Sequence, residues 1–253
     1  MIKETSLFVI ATIFSLSAQA NYLGGFASSS INYLDWTQHT THKTGNTTHK
    51  DDFAYLELEG GVNFSWGEFY GFFDLENPFN RRITQPGHNQ RYATKTTGRI
   101  YLGKSNFNLY GHVYGVWSLP SQKYGGNFHE INTLYGIGYN TQFASLWFKP
   151  FIAFHYVDQT FYSGNNGYVA GWVAGYDFSL YQQKFSLTNW HEMEFNRNKN
   201  YGNGGKNGFN GALAFWWHVT PSITTGVQYR YAYKKLGENF LQDGIVYSLK
   251  YNF

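Results

Sequence analysis

The chain has 253 residues, enough for one large domain or two small ones. Eight Trp, 22 Tyr and 23 Phe stand beside only 14% charged residues, which excludes intrinsic disorder and a long coiled coil. Zero Cys removes disulfide frameworks, cysteine zinc sites and thiol catalysis, and a net charge of +3 scattered along the chain argues against a nucleic-acid partner.

Residues 1–20 read MIKETSLFVIATIFSLSAQA. Lys3 supplies a weak basic start, 7–16 is an apolar run, and Ala18-Gln19-Ala20 places small residues where a signal peptidase cuts. The run is too short to cross ~30 Å of hydrocarbon as a helix. The segment is therefore expected to be a cleaved export signal, leaving 21–253 as the mature domain. No later stretch approaches the ~18 continuous apolar residues that a spanning helix needs.

A transmembrane barrel hides its signal in segments of about ten residues with alternating polarity, because successive strand side chains point to opposite faces. In chain order, Leu56 and Leu58 alternate with Glu57 and Glu59, and Phe69, Gly71, Phe73 and Leu75 alternate with Glu68, Tyr70, Phe72, Asp74 and Glu76. The pattern recurs from Phe107 to Trp117, from Phe209 to Trp217, from Ile223 to Tyr233 and from Ile245 to Phe253. In these segments Glu57, Glu59, Glu68, Asp74, Glu76, Arg230, Lys234 and Lys250 all fall on the less apolar phase. A charge turned to lipid at the midplane costs ~2–4 kcal/mol for Arg or Lys and less for Asp or Glu, so this segregation is what a barrel requires. A soluble sandwich also alternates, but it does not load both phases with Tyr, Phe and Trp.

The spacing predicts an all-β fold, an antiparallel up-and-down transmembrane β-barrel of 12 strands near 26–36, 53–63, 67–77, 93–103, 107–118, 130–141, 145–157, 168–180, 184–195, 208–219, 222–234 and 244–253. Pro150 should mark a bulge or a strand end. Short turns fall at 65–67, 105–106 and 220–221. Longer polar stretches at 37–52, 77–92, 119–129, 158–167, 196–207 and 235–243 each follow an odd-numbered strand, which puts all of them at one end, the extracellular one.

Tyr55-Leu56-Glu57-Leu58-Glu59, then Trp66, then Phe69-Tyr70-Gly71-Phe72-Phe73-Asp74 resembles the Tsx-like family of outer-membrane channels, and 246–253 looks like that family's closing strand. The resemblance implies a monomeric barrel in the bacterial outer membrane, with a narrow channel that passes nucleosides and similar small solutes by diffusion. The terminal Phe253 matches the general signal read by the outer-membrane assembly machinery. Membrane lipid and lipopolysaccharide are the expected surroundings.

A nucleoside carries a flat base and vicinal hydroxyls, so an uncharged site for it needs stacking faces and acceptors. The inferred lumenal phase offers rings at Tyr70, Phe72, Tyr110, Tyr114 and Trp216, and carboxylates at Glu57, Glu59, Glu68, Asp74 and Glu76. The structural alternative is that these acids pair with Arg99, Lys149, Arg230, Lys234 and Lys250, while the tyrosines fill space. Glu192 and Glu194 form a further lumenal pair.

Other constellations are weaker. His39, His42 and His49 read as a polar surface loop, and the glycine-rich stretch from Gly202 to Gly208 follows no strand–helix context for phosphate. No metal or cofactor is expected. Ser186 and His191 have odd spacing and so lie on opposite faces, which disfavours a barrel hydrolase. The alternative to a channel is a structural or receptor barrel whose long loops dock phage, bacteriocin or host.

Overall fold

The structure is a computed structural model that describes residues 21–44, 50–79, 90–118, 128–201 and 205–253; the expected export signal, His49 and part of the glycine-rich stretch lie outside the described residues. The strands are β1 (Tyr22–Trp36), β2 (Phe53–Phe64), β3 (Gly67–Glu76), β4 (Arg91–Tyr101), β5 (Phe107–Ser118), β6 (Phe128–Tyr139), the short β7 (Thr141–Phe143), β8 (Leu146–Gln159), β9 (Tyr162–Leu180), β10 (Gln183–Phe195), β11 (Gly208–His218), β12 (Ile223–Tyr233) and β13 (Leu241–Asn252). A short helix α1 (Gln38–Thr44) follows β1. Neighbours pair antiparallel, β1 with β13 and β6 with β8, so the sheet closes into a barrel of 12 strands. Closure gives every ladder a partner on both sides, the condition for a sheet in hydrocarbon.

The polarity phases sort as the alternation requires. Leu58, Leu109 and Leu249 are 58%, 50% and 55% exposed on the outer wall, whereas their strand neighbours Glu57, Glu59, Tyr110 and Lys250 turn inward and are shielded. Register carries this face around the ring: Glu57 lies opposite Asp74, Glu68 opposite Arg99, and Glu192 opposite Asn210. Lys234 alone of the eight charges leaves its phase, because it follows the end of β12 in a left-handed conformation (φ 52°) and folds over the Tyr233 ring.

The interior is not uniformly open. Behind β5, β6, β8 and β9 it is packed with Tyr110, Leu134, Phe151, Ala153 and Val169, and the Phe151 ring stacks on Tyr110 at 4.1 Å. Gly171 makes this possible, since a Cβ there would stand 2.8 Å from the Phe151 ring and 2.4 Å from the His191 carbonyl. A second apolar cluster, Leu34, Tyr55 and Val246 with Trp36 and Phe53, lies toward the long-loop end. Arg99 (3% exposed) crosses from β4 to β8, donating to the carbonyls of Lys149 (3.0 Å) and Pro150 (3.4 Å) and to Asn108 and Asn140. Its Nε faces Glu68 at 3.6 Å, and Lys149 returns to the same carboxylate at 2.7 Å.

Two details depart from the spacing-based expectation. The stretch 158–167 is not a long loop: β8 and β9 continue as paired strands to Gln159 and Tyr162, with a register shift near Phe154 and Tyr156. Pro150 produces no bulge. It sits where the pairing of β8 passes from β6, ending at Phe151, to β7, beginning at Phe148, so its missing N–H falls in the gap between two ladders. At the short-turn end, β9 and β10 join through Tyr181 (φ 47°) and Gln182 (φ 64°), a turn whose two left-handed positions favour Asn-Gly.

Two outcomes follow for urea unfolding of the barrel in vesicles. Replacing Tyr181-Gln182 by Asn-Gly raises stability by about 1 kcal/mol by relieving left-handed backbone at two bulky residues. Arg99→Ala, which leaves Glu68 to Lys149 and Tyr101 but strands the Lys149 and Pro150 carbonyls, lowers it by ~2–4 kcal/mol; a loss below ~1 kcal/mol would show that the crossing does not brace the barrel.

Candidate functional site

The polar part of the interior runs along the inner faces of β1 to β4 and β10 to β13. Near its short-turn end Glu59 pairs with Lys250 and accepts from Ser28 (3.2 Å) and Tyr70 (3.0 Å). Tyr70 in turn stands between Phe26 (6.3 Å, stacked) and Phe72 (6.5 Å, edge on). On the opposite wall Lys250 lies 4.7 Å over Trp216, whose indole N–H is fixed by Thr188 (2.9 Å).

Midway, Glu57 and Asp74 face each other on adjacent strands, and Ser30 donates to Glu57 (3.4 Å). Asp74 is 8% exposed, and its Oδ1 has no hydrogen-bond partner among the described residues. Across from them Trp190 lies between two cations, Lys95 at 5.6 Å and Arg230 at 5.9 Å. Lys95 is tied to Glu192 (3.5 Å), whereas Arg230 makes no hydrogen bond or ion pair among the described residues. The centre thus presents an indole face, a guanidinium with no hydrogen bond or ion pair among the described residues, and a carboxyl pair.

Toward the long-loop end, Glu76 pairs with Arg91 (2.5 Å). There the loop after β10 turns inward. Tyr201 is 3% exposed, donates to Glu130 (3.0 Å) and receives Gln159 at its carbonyl (3.0 Å). Arg197 and Lys235 close on Glu194 beside it. Burial beside Glu194 raises nothing for Tyr201 but its reluctance to ionise; its phenol is pushed well above the ordinary range, first by burial and then by the Glu194 and Glu130 charges.

Of the residues singled out by sequence, Glu57, Glu59, Tyr70, Phe72, Asp74 and Trp216 therefore belong to the polar side of the interior. Glu68 is engaged by Lys149, Arg99 and Tyr101, Glu76 by Arg91, and Tyr110 is packed against Phe151. Tyr114 turns inward, partly buried, opposite Lys95 and Asn132 in register. Lys95, Trp190 and Arg230 complete the centre. Their inward phase was readable, but their meeting across the lumen depends on ring closure, which no local pattern encodes.

One polar chain has the ingredients of hydrolytic chemistry. His191 does lie outside and Ser186 inside, yet Ser186 meets a different histidine, His218 Nε2, at 2.8 Å beside a cavity of about 270 Å3. The direction of the protons decides its character. Asn252 donates to Thr224 (3.0 Å), whose hydroxyl lies 3.0 Å from His218 Nδ1. Ser186 donates its one proton to Asp177 (2.6 Å), so its contact with His218 is made by a proton on Nε2. An acyl-transfer serine must give its proton to the histidine; this one gives it to a carboxylate.

The similarities agree with this architecture. The structure resembles the NanC porin over 89% of this chain and 100% of that one, at 11% identity and a TM-score of 0.51, a likeness of fold. The outer membrane channel DcaP of Acinetobacter baumannii (10% identity, 92% and 97% covered, TM-score 0.41) and the Salmonella typhi outer membrane phospholipase (11%, 96% and 97%, TM-score 0.44) are more distant in shape. At the level of sequence, residues 31–253 match the family described as nucleoside-specific channel-forming protein, Tsx. The chain is an outer-membrane β-barrel and belongs to the Tsx channel family.

Proposed function

We propose that this channel passes nucleosides, or neutral solutes that likewise join a flat ring to vicinal hydroxyls. The observation that carries the reading is the central constellation, with Trp190 and Trp216 offering indole faces opposite Glu57, Glu59 and Asp74. A base stacked on such a ring gains ~1–3 kcal/mol. Carboxylates accept from ribose hydroxyls, and Arg230 donates to ring or carbonyl oxygens. Most other lumenal charges are already paired with each other, at Glu59 with Lys250, Glu68 with Lys149, Glu76 with Arg91 and Glu192 with Lys95, so the path holds no large excess of one sign. That balance suits an uncharged solute. Several weak sites in series let a solute leave as easily as it enters.

The test is single-channel current in planar bilayers with a panel of nucleosides, sugars and amino acids. Millimolar nucleoside is expected to interrupt the current, and Trp190→Ala to raise the half-blocking concentration about tenfold, within the stacking range above. Current indifferent to nucleosides would remove the selectivity. No current at all would favour a barrel that serves as a receptor or structural element.

A further inference from the structure

The outer wall carries a polar cluster among its apolar side chains. On the outward phase of β9 to β12, Trp172 Nε1 donates to Asn189 Oδ1 (2.6 Å), Asn189 Nδ2 donates to the Ala212 carbonyl (2.8 Å), and the Tyr231 hydroxyl lies 2.9 Å from His191 Nδ1. The His191 ring stands against Trp172 (4.7 Å), Phe209 (5.7 Å) and Tyr231 (5.8 Å). Gly211 leaves room for this, because a Cβ there would be 2.5 Å from the Tyr231 hydroxyl. His191 is partly exposed, and its Nε2 has no hydrogen-bond partner among the described residues. A polar ring atom on a wall bathed by lipid marks a site, since hydrocarbon gives it nothing to bond.

Two features of the same wall identify the partner. Below the cluster, the outer faces of β1 and β11 to β13 form an apolar groove of about 570 Å3, walled by Tyr33, Tyr247, Phe215 and Trp217 and floored by Val227. Val227 and Tyr231 are four residues apart on β12, or ~13 Å at ~3.3 Å per residue, so an acyl chain in the groove would carry its headgroup to His191. Above the cluster the rim is cationic. The loop 196–207 contains Lys199 and Lys206, with Arg197 turned away onto Glu194, and no Asp or Glu. The Arg197 N–H bonds the Lys206 carbonyl (2.9 Å), which holds exposed Lys206 over the β10–β11 hairpin, and the Lys234 ammonium lies 3.3 Å from where a Cβ on neighbouring Gly205 would stand. The acids that face this region are Glu238 in the next loop and Asp243, whose oxygens already accept from Thr37, Thr40 and Tyr229.

We propose that this face binds a phosphorylated, multiply acylated saccharolipid of the outer leaflet. Its phosphate bonds Lys206 and Lys234 at the rim, a hydroxyl or amide of the sugar between phosphate and acyl chains meets His191 Nε2, and an acyl chain fills the groove. The proposal rests on the barrel's place in the outer membrane and not on the solute it carries.

Native mass spectrometry of the detergent-solubilised barrel tests it with three probes: hexa-acylated lipid A, the same lipid dephosphorylated, and phosphatidylethanolamine. Lipid A is expected to be retained at least about tenfold more tightly than the other two, the double variant K206Q/K234Q to lose most of that margin, and His191→Ala to weaken lipid A and its dephosphorylated form alike. The lysines lie outside the strands, and heat-dependent gel migration verifies that the double variant keeps its barrel. Equal retention of dephosphorylated lipid or of phosphatidylethanolamine overturns the proposal, as does unchanged retention by the folded double variant. A dimer that takes up no lipid overturns it too, by assigning the face to a second copy of the chain.

Discussion

Backbone N–H and C=O groups have no partners in hydrocarbon, and the rest of this molecule follows from that constraint. The sheet meets it by pairing β6 with β8 and β1 with β13, so that no open edge remains in the ring. Once the ring is closed, each strand has an inside and an outside, and alternation becomes obligatory. The inside can then hold Glu, Asp, Arg and Lys at positions next in sequence to residues that face lipid. Leu58 between Glu57 and Glu59 is the sharpest instance.

A closed ring creates a second problem, which is what to do with its interior. Here the two sides are treated differently. Behind β5, β6, β8 and β9 the space is filled by an apolar cluster and braced by the Arg99 crossing, which gives that wall the character of a protein core. On the other side, paired ions and indoles line the inner wall, while Tyr201 folds inward onto Glu130 of β6 and Gln159 of β8. Buried ion pairs are weak sources of stability but costly to break, which makes them effective spacers between walls. The same ions beside aromatic rings offer a passing solute both faces and hydrogen bonds. In the proposed function, rigidity and selectivity therefore draw on one set of side chains.

Much of this was legible in the amino-acid order. The strand tally, the common end of the long loops and the inward phase of Glu57, Asp74 and Arg230 all follow from a period of two, which membrane-spanning strands must keep. Legibility failed where that rule lapses. Residues 158–167 carry Gly164, Asn165, Asn166 and Gly167 and look like a loop, yet they pair, because a hairpin outside hydrocarbon needs no apolar phase. Periodicity also cannot say which inward residues meet across the ring. Trp190 with Lys95 and Arg230, Ser186 with His218, and Tyr110 against Phe151 are contacts between strands that local pattern leaves unrelated. Tyr110 shares its phase with Tyr70 but ends in the packed half, a difference of position around the barrel and not of chemistry.

The absence of native cysteine makes the central claim directly measurable. Single cysteines placed along β2 and β12, at 56, 57, 58 and 59 and at 227, 228, 229 and 230, can be exposed to a charged, membrane-impermeant thiol reagent in reconstituted vesicles. The account predicts labelling at 57, 59, 228 and 230 and none at 56, 58, 227 or 229, with nucleoside slowing the reaction at 57 and 230. Labelling on the opposite phase, or no labelling at any inward position, would contradict a water-filled path through the barrel.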